Sequence, residues 1–192
     1  NLVNQFSTFA RFPDTNFSKD RIENVILETI VLYRDGLERV DIRSTFGEDI
    51  PFLKLDHQHM KQAFINLIDN AVYAVNKEGI IVIDVSYDPI LKIVRIEIAD
   101  NGKGISDKEK TKLFEPYFST KEKTSGTGMG LAMVHGIISR QGGRIEVESE
   151  IGKGSVFRVH LPVVQKETAI EQVGPLGNLQ SGSGTILLVD DE

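Results

Sequence analysis

Cysteine is absent from the 192-residue chain. That removes disulfides, thiolate nucleophiles and cysteine-ligated metal sites together, and it fits a reducing compartment, so the cytoplasm is the inference. A basic patch is missing as well: 22 Lys and Arg against 28 Asp and Glu leave a net charge of −6 with no lysine or arginine run. The electrostatic footprint of a nucleic-acid binder is therefore lacking, and no nucleic acid is expected as a partner. Long apolar runs are missing too. None approaches the roughly 18 residues of a membrane span, and the N-terminus lacks the basic-then-apolar order of a signal peptide. No direct membrane contact is expected of this chain, and any anchor of a parent protein would lie outside it. What remains, 40% hydrophobic and 26% charged residues, is ordinary globular composition for one domain with attachments.

Residues 2–12, LVNQFSTFARF, have apolar side chains at helical spacing until Pro13, and look like the end of a helix. Asp20 to Leu37 has Ile22, Val25, Ile26, Thr29, Ile30 and Tyr33 on one stripe, with Gly36 where a helix would end, and a short strand follows near Val40 to Phe46. Asp56 is the N-cap expected of the longest helix, whose Met60, Phe64, Leu67, Ile68, Ala71 and Val75 recur at three- and four-residue steps before Gly79. Ile80 to Tyr87 and Leu91 to Ala99 form an expected antiparallel hairpin around Asp88-Pro89. A short polar helix is expected over Asp107 to Leu113. Residues 114–128, FEPYFSTKEKTSGTG, are too long and irregular for a tight turn and read as a lid. Met129 to Gln141 is amphipathic and ends at Gly142-Gly143, and Arg144 to Ser149 and Ser155 to Leu161 alternate as strands. Residues 165–184 include four glycines and read as a linker before TILLVDDE, residues 185–192.

Four stretches carry chemistry. On the long helix, Asn66, Asn70 and Tyr73 share a stripe away from the apolar one. Paired amide oxygens suit Mg²⁺ on nucleotide phosphates, although two asparagines taken alone fit a solvated polar face better. In the strand before Asp100, period two puts its carboxylate on the side of Val94, Ile96 and Ile98, where it must find donors. An adenine amino group would serve, and a strand-ending aspartate opening the Asn101-Gly102 turn is equally compatible. Gly102 and Gly104 let the backbone pass close under a flat ring or simply make the turn. GTGMGLA, residues 126–132, has the spacing of neither a P-loop nor a dinucleotide fingerprint, but it leads into a helix whose N-terminus favours phosphate.

N-x-x-x-N-A, D-x-G-x-G-I, F-x-P-x-F-x-T-K and G-T-G-x-G-L-A, in this order, resemble the N, G1, F and G2 boxes of sensor histidine kinases. The resemblance covers residues 14–164 and extends to GKGSVFRVHLP. It implies an α/β sandwich of the Bergerat type, a mixed and largely antiparallel sheet with helices on one face and ATP under a mobile lid. It further implies Asn70 as the Mg²⁺ ligand, Asn66 supporting the phosphates and Asp100 receiving the adenine amino group. Tyr73, Gly102, Gly104, Ile105 and Phe118 would line the nucleotide site. Thr120 and Lys121 would stand at the lid's start, and Gly126, Thr127, Gly128, Met129, Gly130 and Leu131 would wrap the phosphates.

Hydrolytic relatives carry a glutamate four residues before the Mg²⁺ asparagine. Here that residue is Asn66, an amide that cannot act as a general base. A kinase is therefore expected before an ATPase of the same fold or a degenerate nucleotide-binding module. Many histidine kinases also carry lysine or arginine where this chain has Tyr73, which leaves phosphate charge to Lys121, Mg²⁺ and backbone donors. None of His57, His59, His135 or His160 stands in the family's H-E-x-x-[NT]-P context, so all four read as surface or packing residues. The resemblance implies as partners the dimerisation and phosphoacceptor hairpin of the same kinase, whose last turns residues 1–13 resemble, and a response-regulator receiver domain. Residues 185–192 resemble a receiver's first strand, with Asp190 and Asp191 as its paired acids. The full-length protein would be a homodimer.

Overall fold

A computed structural model describes residues 16–33, 40–76, 78–119 and 128–163. The helical end expected over 2–12, the linker, the strand at 185–192 and Gly36 lie outside the described residues. The elements run β1 (Ser18–Asp20), α1 (Ile22–Val31), β2 (Val40–Phe46), β3 (Leu53–Leu55), α2 (His57–Ala74), β4 (Gly79–Asp88), β5 (Ile93–Asp100), α3 (Asp107–Lys110), α4 (Gly130–Arg140), β6 (Arg144–Glu150) and β7 (Gly154–Pro162).

Five strands form one sheet in the order β2-β4-β5-β7-β6. β2 pairs with β4 in parallel and every other pair is antiparallel. Register aligns Ile83, Ile98 and Phe157 in one lane and Val85, Ile96 and Val159 in the next. All six side chains are buried. They form the sheet face against which α2 and α4 pack, with α1 against α2. The other face is polar: Arg158 bonds Glu97 at 2.9 Å and Glu148 at 2.8 Å. One covered face and one solvated face explain the alternating pattern of these strands.

The long helix follows its sequence signals closely. Asp56 caps α2 by accepting from the His59 N–H at 3.0 Å, and Met60, Phe64, Leu67, Ile68, Ala71 and Val75 are all buried. Each such apolar side chain contributes about 1.5–3 kcal/mol for the larger members. Three features differ from expectation. The helix expected over Asp20 to Leu37 ends at Val31, because Leu32 and Tyr33 bond back three residues, to Thr29 and Ile30, in a turn. α3 ends at Lys110 rather than Leu113, because Lys112 and Leu113 bond back three residues, to Glu109 and Lys110, in a tightened turn. β1 and β3 pair as a separate antiparallel ribbon, and three residues each are too few for a period to show.

Candidate functional site

Helix α2, the end of β5 and the start of α4 enclose a cavity of about 320 Å³. Asn66, Asn70 and Tyr73 line it from the face of α2 opposite its buried stripe. Asn66 is oriented at both ends of its amide. Nδ2 donates to the Gln62 carbonyl at 2.9 Å, and Oδ1 faces Gly130, where an added Cβ would stand only 2.8 Å away. Among the described residues the Asn70 amide makes no hydrogen bond, so its oxygen is available to a ligand.

Asp100 closes the inner end. It is 8% exposed and lies in the register lane of Ile81 and Ser155. Burial pushes its carboxyl above the usual aspartate value. The Gly102 N–H, at 2.9 Å, and the backbone and hydroxyl of Ser155 pull the other way by donating to it. The carboxylate thus keeps donors inside the protein while facing the cavity.

The glycines around it serve close backbone packing. A Cβ on Gly102 would lie 2.4 Å from the Ala74 carbonyl carbon, and one on Gly104, at φ +70°, would lie 2.0 Å from the Glu150 carbonyl oxygen. The loop after β5 is therefore wedged between the end of α2 and the β6–β7 turn. Gly128, at φ +68°, sits against the backbone of Tyr117, which itself has φ 68°. A bulky residue in the left-handed region costs on the order of 1–2 kcal/mol and marks a position held by its surroundings.

Of the residues singled out in the sequence, Asn66, Asn70, Tyr73, Asp100, Gly104, Ile105, Phe118, Gly128, Gly130 and Leu131 line the cavity together. Gly102 and Met129 do not; Gly102 supports the loop from beneath and Met129 is buried at the start of α4. Thr120, Lys121, Gly126 and Thr127 lie outside the described residues. The structure adds Asp69, Lys103, Glu109 and Ser155. Ser155 had a legible signal, since strand alternation places it on the side of Phe157 and Val159. Among the described residues no cluster of three His, Cys, Asp or Glu side chains could hold a metal.

A mixed sheet covered by helices on one face, with a buried carboxylate and paired asparagines lining one cavity, defines a nucleotide-binding α/β sandwich. Residues 55–165 match the family described as histidine kinase-, DNA gyrase B- and HSP90-like ATPase. The chain belongs to that family, and within it is homologous to sensor histidine kinases. It is 34% identical to sensor kinase CckA of Brucella abortus (strain 2308), over 100% of this chain and 22% of that protein. The nucleotide-free catalytic domain of histidine kinase ThkA superposes with a TM-score of 0.69 at 30% identity, covering 77% of this chain and 96% of that one. The same kinase has been solved with response regulator protein TrrA, with a TM-score of 0.65 at 27% identity, covering 77% and 42%. Full-length ShkA in complex with AMPPNP gives 0.73 at 25% identity, covering 84% and 35%. The chain spans 22% of CckA and 35% of another curated relative, the Klebsiella oxytoca ZraS.

Proposed function

We propose that the chain is the ATP-binding catalytic domain of a two-component sensor histidine kinase. It would transfer the γ-phosphoryl group of ATP to a histidine on a separate helical hairpin, for relay to an aspartate of a response regulator. In that transfer the bond from the γ-phosphorus to its bridging oxygen breaks, a phosphorus–nitrogen bond forms, and ADP leaves. The observation that carries the reading is the Asn66–Asn70 pair: an amide stands where hydrolytic relatives need a glutamate to activate water.

The cavity's chemistry supports the remaining roles. Asp100 accepts the adenine amino group, and Ile105, Leu131 and Phe118 supply apolar walls. Asn66 and the first N–H groups of α4 face the phosphates. Asn70, with its unclaimed oxygen, fits Mg²⁺, which when bound offsets phosphate charge and takes its other ligands from phosphate and water. These residues position and stabilise rather than exchange protons. Thr120, Lys121, Gly126 and Thr127 would complete the enclosure, and Tyr117 and Gly128 fix where that segment leaves and rejoins the fold.

Partners follow the same reading. A hairpin of the same kinase presents the histidine, and a receiver domain accepts the phosphoryl group, as the ThkA complex with its response regulator supports. Residues 165–184 would link this domain to a receiver beginning at 185–192. Mixing the chain with the parent's hairpin and γ-labelled ATP should give acid-labile phosphate on the hairpin histidine. Steady release of inorganic phosphate at ordinary ATPase turnover, with no labelled hairpin, would overturn the kinase reading.

A further inference from the structure

We propose that Lys103, held over the ring of Tyr73, is the residue by which this site recognises nucleotide phosphates by their charge. The inference rests on the nucleotide reading of the cavity and adds the cation that its α2 face lacks. Three residues beyond Asn70, α2 presents the neutral ring of Tyr73 to the cavity. The Lys103 ammonium lies 4.8 Å from the centroid of that ring. Lys103 comes from a different element, the loop after β5, which packs against the end of α2 beside Tyr73.

The loop is built so that this reach is fixed. Lys103 donates its N–H to the Ala74 carbonyl at 3.1 Å and its own carbonyl accepts from Gly152 at 2.8 Å. The glycines on either side are wedged against Ala74 and Glu150, where no side chain fits. The backbone of Lys103 is therefore clamped between α2 and the β6–β7 turn, and only its side chain is left to span the distance to Tyr73.

Charge gives the arrangement its use. Among the described residues, Lys103 is the one cation that lines the cavity, and it shares the walls with the carboxylates of Asp69, Asp100 and Glu109. Nearby Lys110 is engaged elsewhere, with Asp107 at 2.7 Å and the Ser149 carbonyl at 3.0 Å. A polyanionic ligand would otherwise meet a wall of its own sign. Hydrogen bonds from the Ser106 hydroxyl and N–H chiefly hold the Glu109 carboxyl below its ordinary value, and the Lys103 charge adds to them in the same direction. An aromatic face steadies an ammonium without neutralising it, as a carboxylate partner would, and leaves N–H groups to donate outward. Tyr73 and Lys103 together thus form a pre-positioned cation made from two elements.

The test is a titration of the chain with adenosine, AMP, ADP and ATP in Mg²⁺, followed by NMR shift changes so that weak binding is measured. Lys103→Gln should weaken ATP about tenfold, ADP less, and adenosine by less than about twofold. Lys103→Arg should keep the phosphate-dependent gain. Tyr73→Phe should behave as wild type, and Tyr73→Ala should lose part of the gain, because the ring and not the hydroxyl carries the ammonium. Tyr73→Lys should restore ATP affinity in the Lys103→Gln background. An equal loss for all four ligands, or no loss for ATP, would overturn the role of Lys103 while leaving the nucleotide site standing. Failure of the wild-type chain to bind any of the four would overturn the site itself and this inference with it.

Discussion

Asp100 at the end of β5 and Ser155 at the start of β7 stand opposite each other in the antiparallel ladder, and Ser155 donates to the Asp100 carboxylate through both its backbone and its hydroxyl. The pairing does not compensate fully for burial, since the Asp100 carboxyl remains above its ordinary value of 3.8. A carboxyl raised by folding binds more protons in the native state than in the unfolded one. Stability therefore falls as pH rises from 3.8 through the raised value, and above it the whole cost is present. Asp100→Asn should remove that cost, so its melting temperature at pH 7 should equal or exceed wild type. The same change sets an NH₂ where the adenine amino group must donate, and ATP affinity by calorimetry should fall about tenfold to a hundredfold. A variant that is less stable yet binds normally would contradict both halves.

Two glycines two residues apart should respond oppositely to alanine. A Cβ on Gly130 meets the end of a side chain, Asn66 Oδ1 at 2.8 Å, whereas one on Gly128 meets backbone, the Tyr117 carbonyl carbon at 2.5 Å, at φ +68°. Gly130→Ala should leave stability within about 1 kcal/mol, helped by helix propensity, and weaken ATP by displacing the Asn66 amide. Gly128→Ala should lower stability by about 1–3 kcal/mol, because the tightly packed Tyr117 backbone leaves little room to yield. Denaturant melts and nucleotide titrations on both variants separate the two roles.

The core makes a blunter prediction. Phe64 is 1% exposed and is among the largest fully buried side chains. Phe64→Ala should cost about 3–5 kcal/mol and lower the melting temperature by roughly 10 °C. The loss should appear in the denaturant midpoint with little change in slope.

Where period and capping extend over several turns, sequence and structure agree closely. Val40 to Phe46, the Asp56 cap and the buried stripe of α2 needed only local rules. The face of Asp100 was legible too, because alternation carries through eight residues of β5. What stayed hidden was contact between elements distant in sequence. Ser155 as the Asp100 partner depends on β5–β7 register, and Lys103 over Tyr73 depends on a loop folding back on the end of α2. The glycines show the same limit from the other side. Spacing marked Gly102, Gly104, Gly128 and Gly130 as special, but three of them are required by neighbouring backbone and Gly130 by an asparagine side chain.

His57 ties three elements at the far end of α2 from the cavity. Its Nδ1 lies 2.6 Å from Asp20 in β1 and its Nε2 3.1 Å from Glu28 in α1, which also pairs with Lys61. The hydrogen bond to Asp20 is the largest influence and raises the imidazole above 6.5; burial opposes it and Glu28 reinforces it. The Asp20 carboxyl is held below 3.8 by the same contact and the Arg21 N–H, against its own burial. The imidazolium's contribution is fully present below about pH 6.5 and is lost as pH rises through the raised value. Asp20 contributes above about pH 3.8, and that contribution is lost as pH falls through its lowered value. Stability from this cluster should therefore be greatest between these limits. Because the ring keeps 25% of its side-chain surface exposed, solvent screening limits the gain to about 1 kcal/mol. Melting temperature should decline by a few degrees from pH 6 to pH 9, and His57→Gln should flatten that decline while lowering stability at pH 6. A variant that retains the wild-type slope would place the titrating group elsewhere.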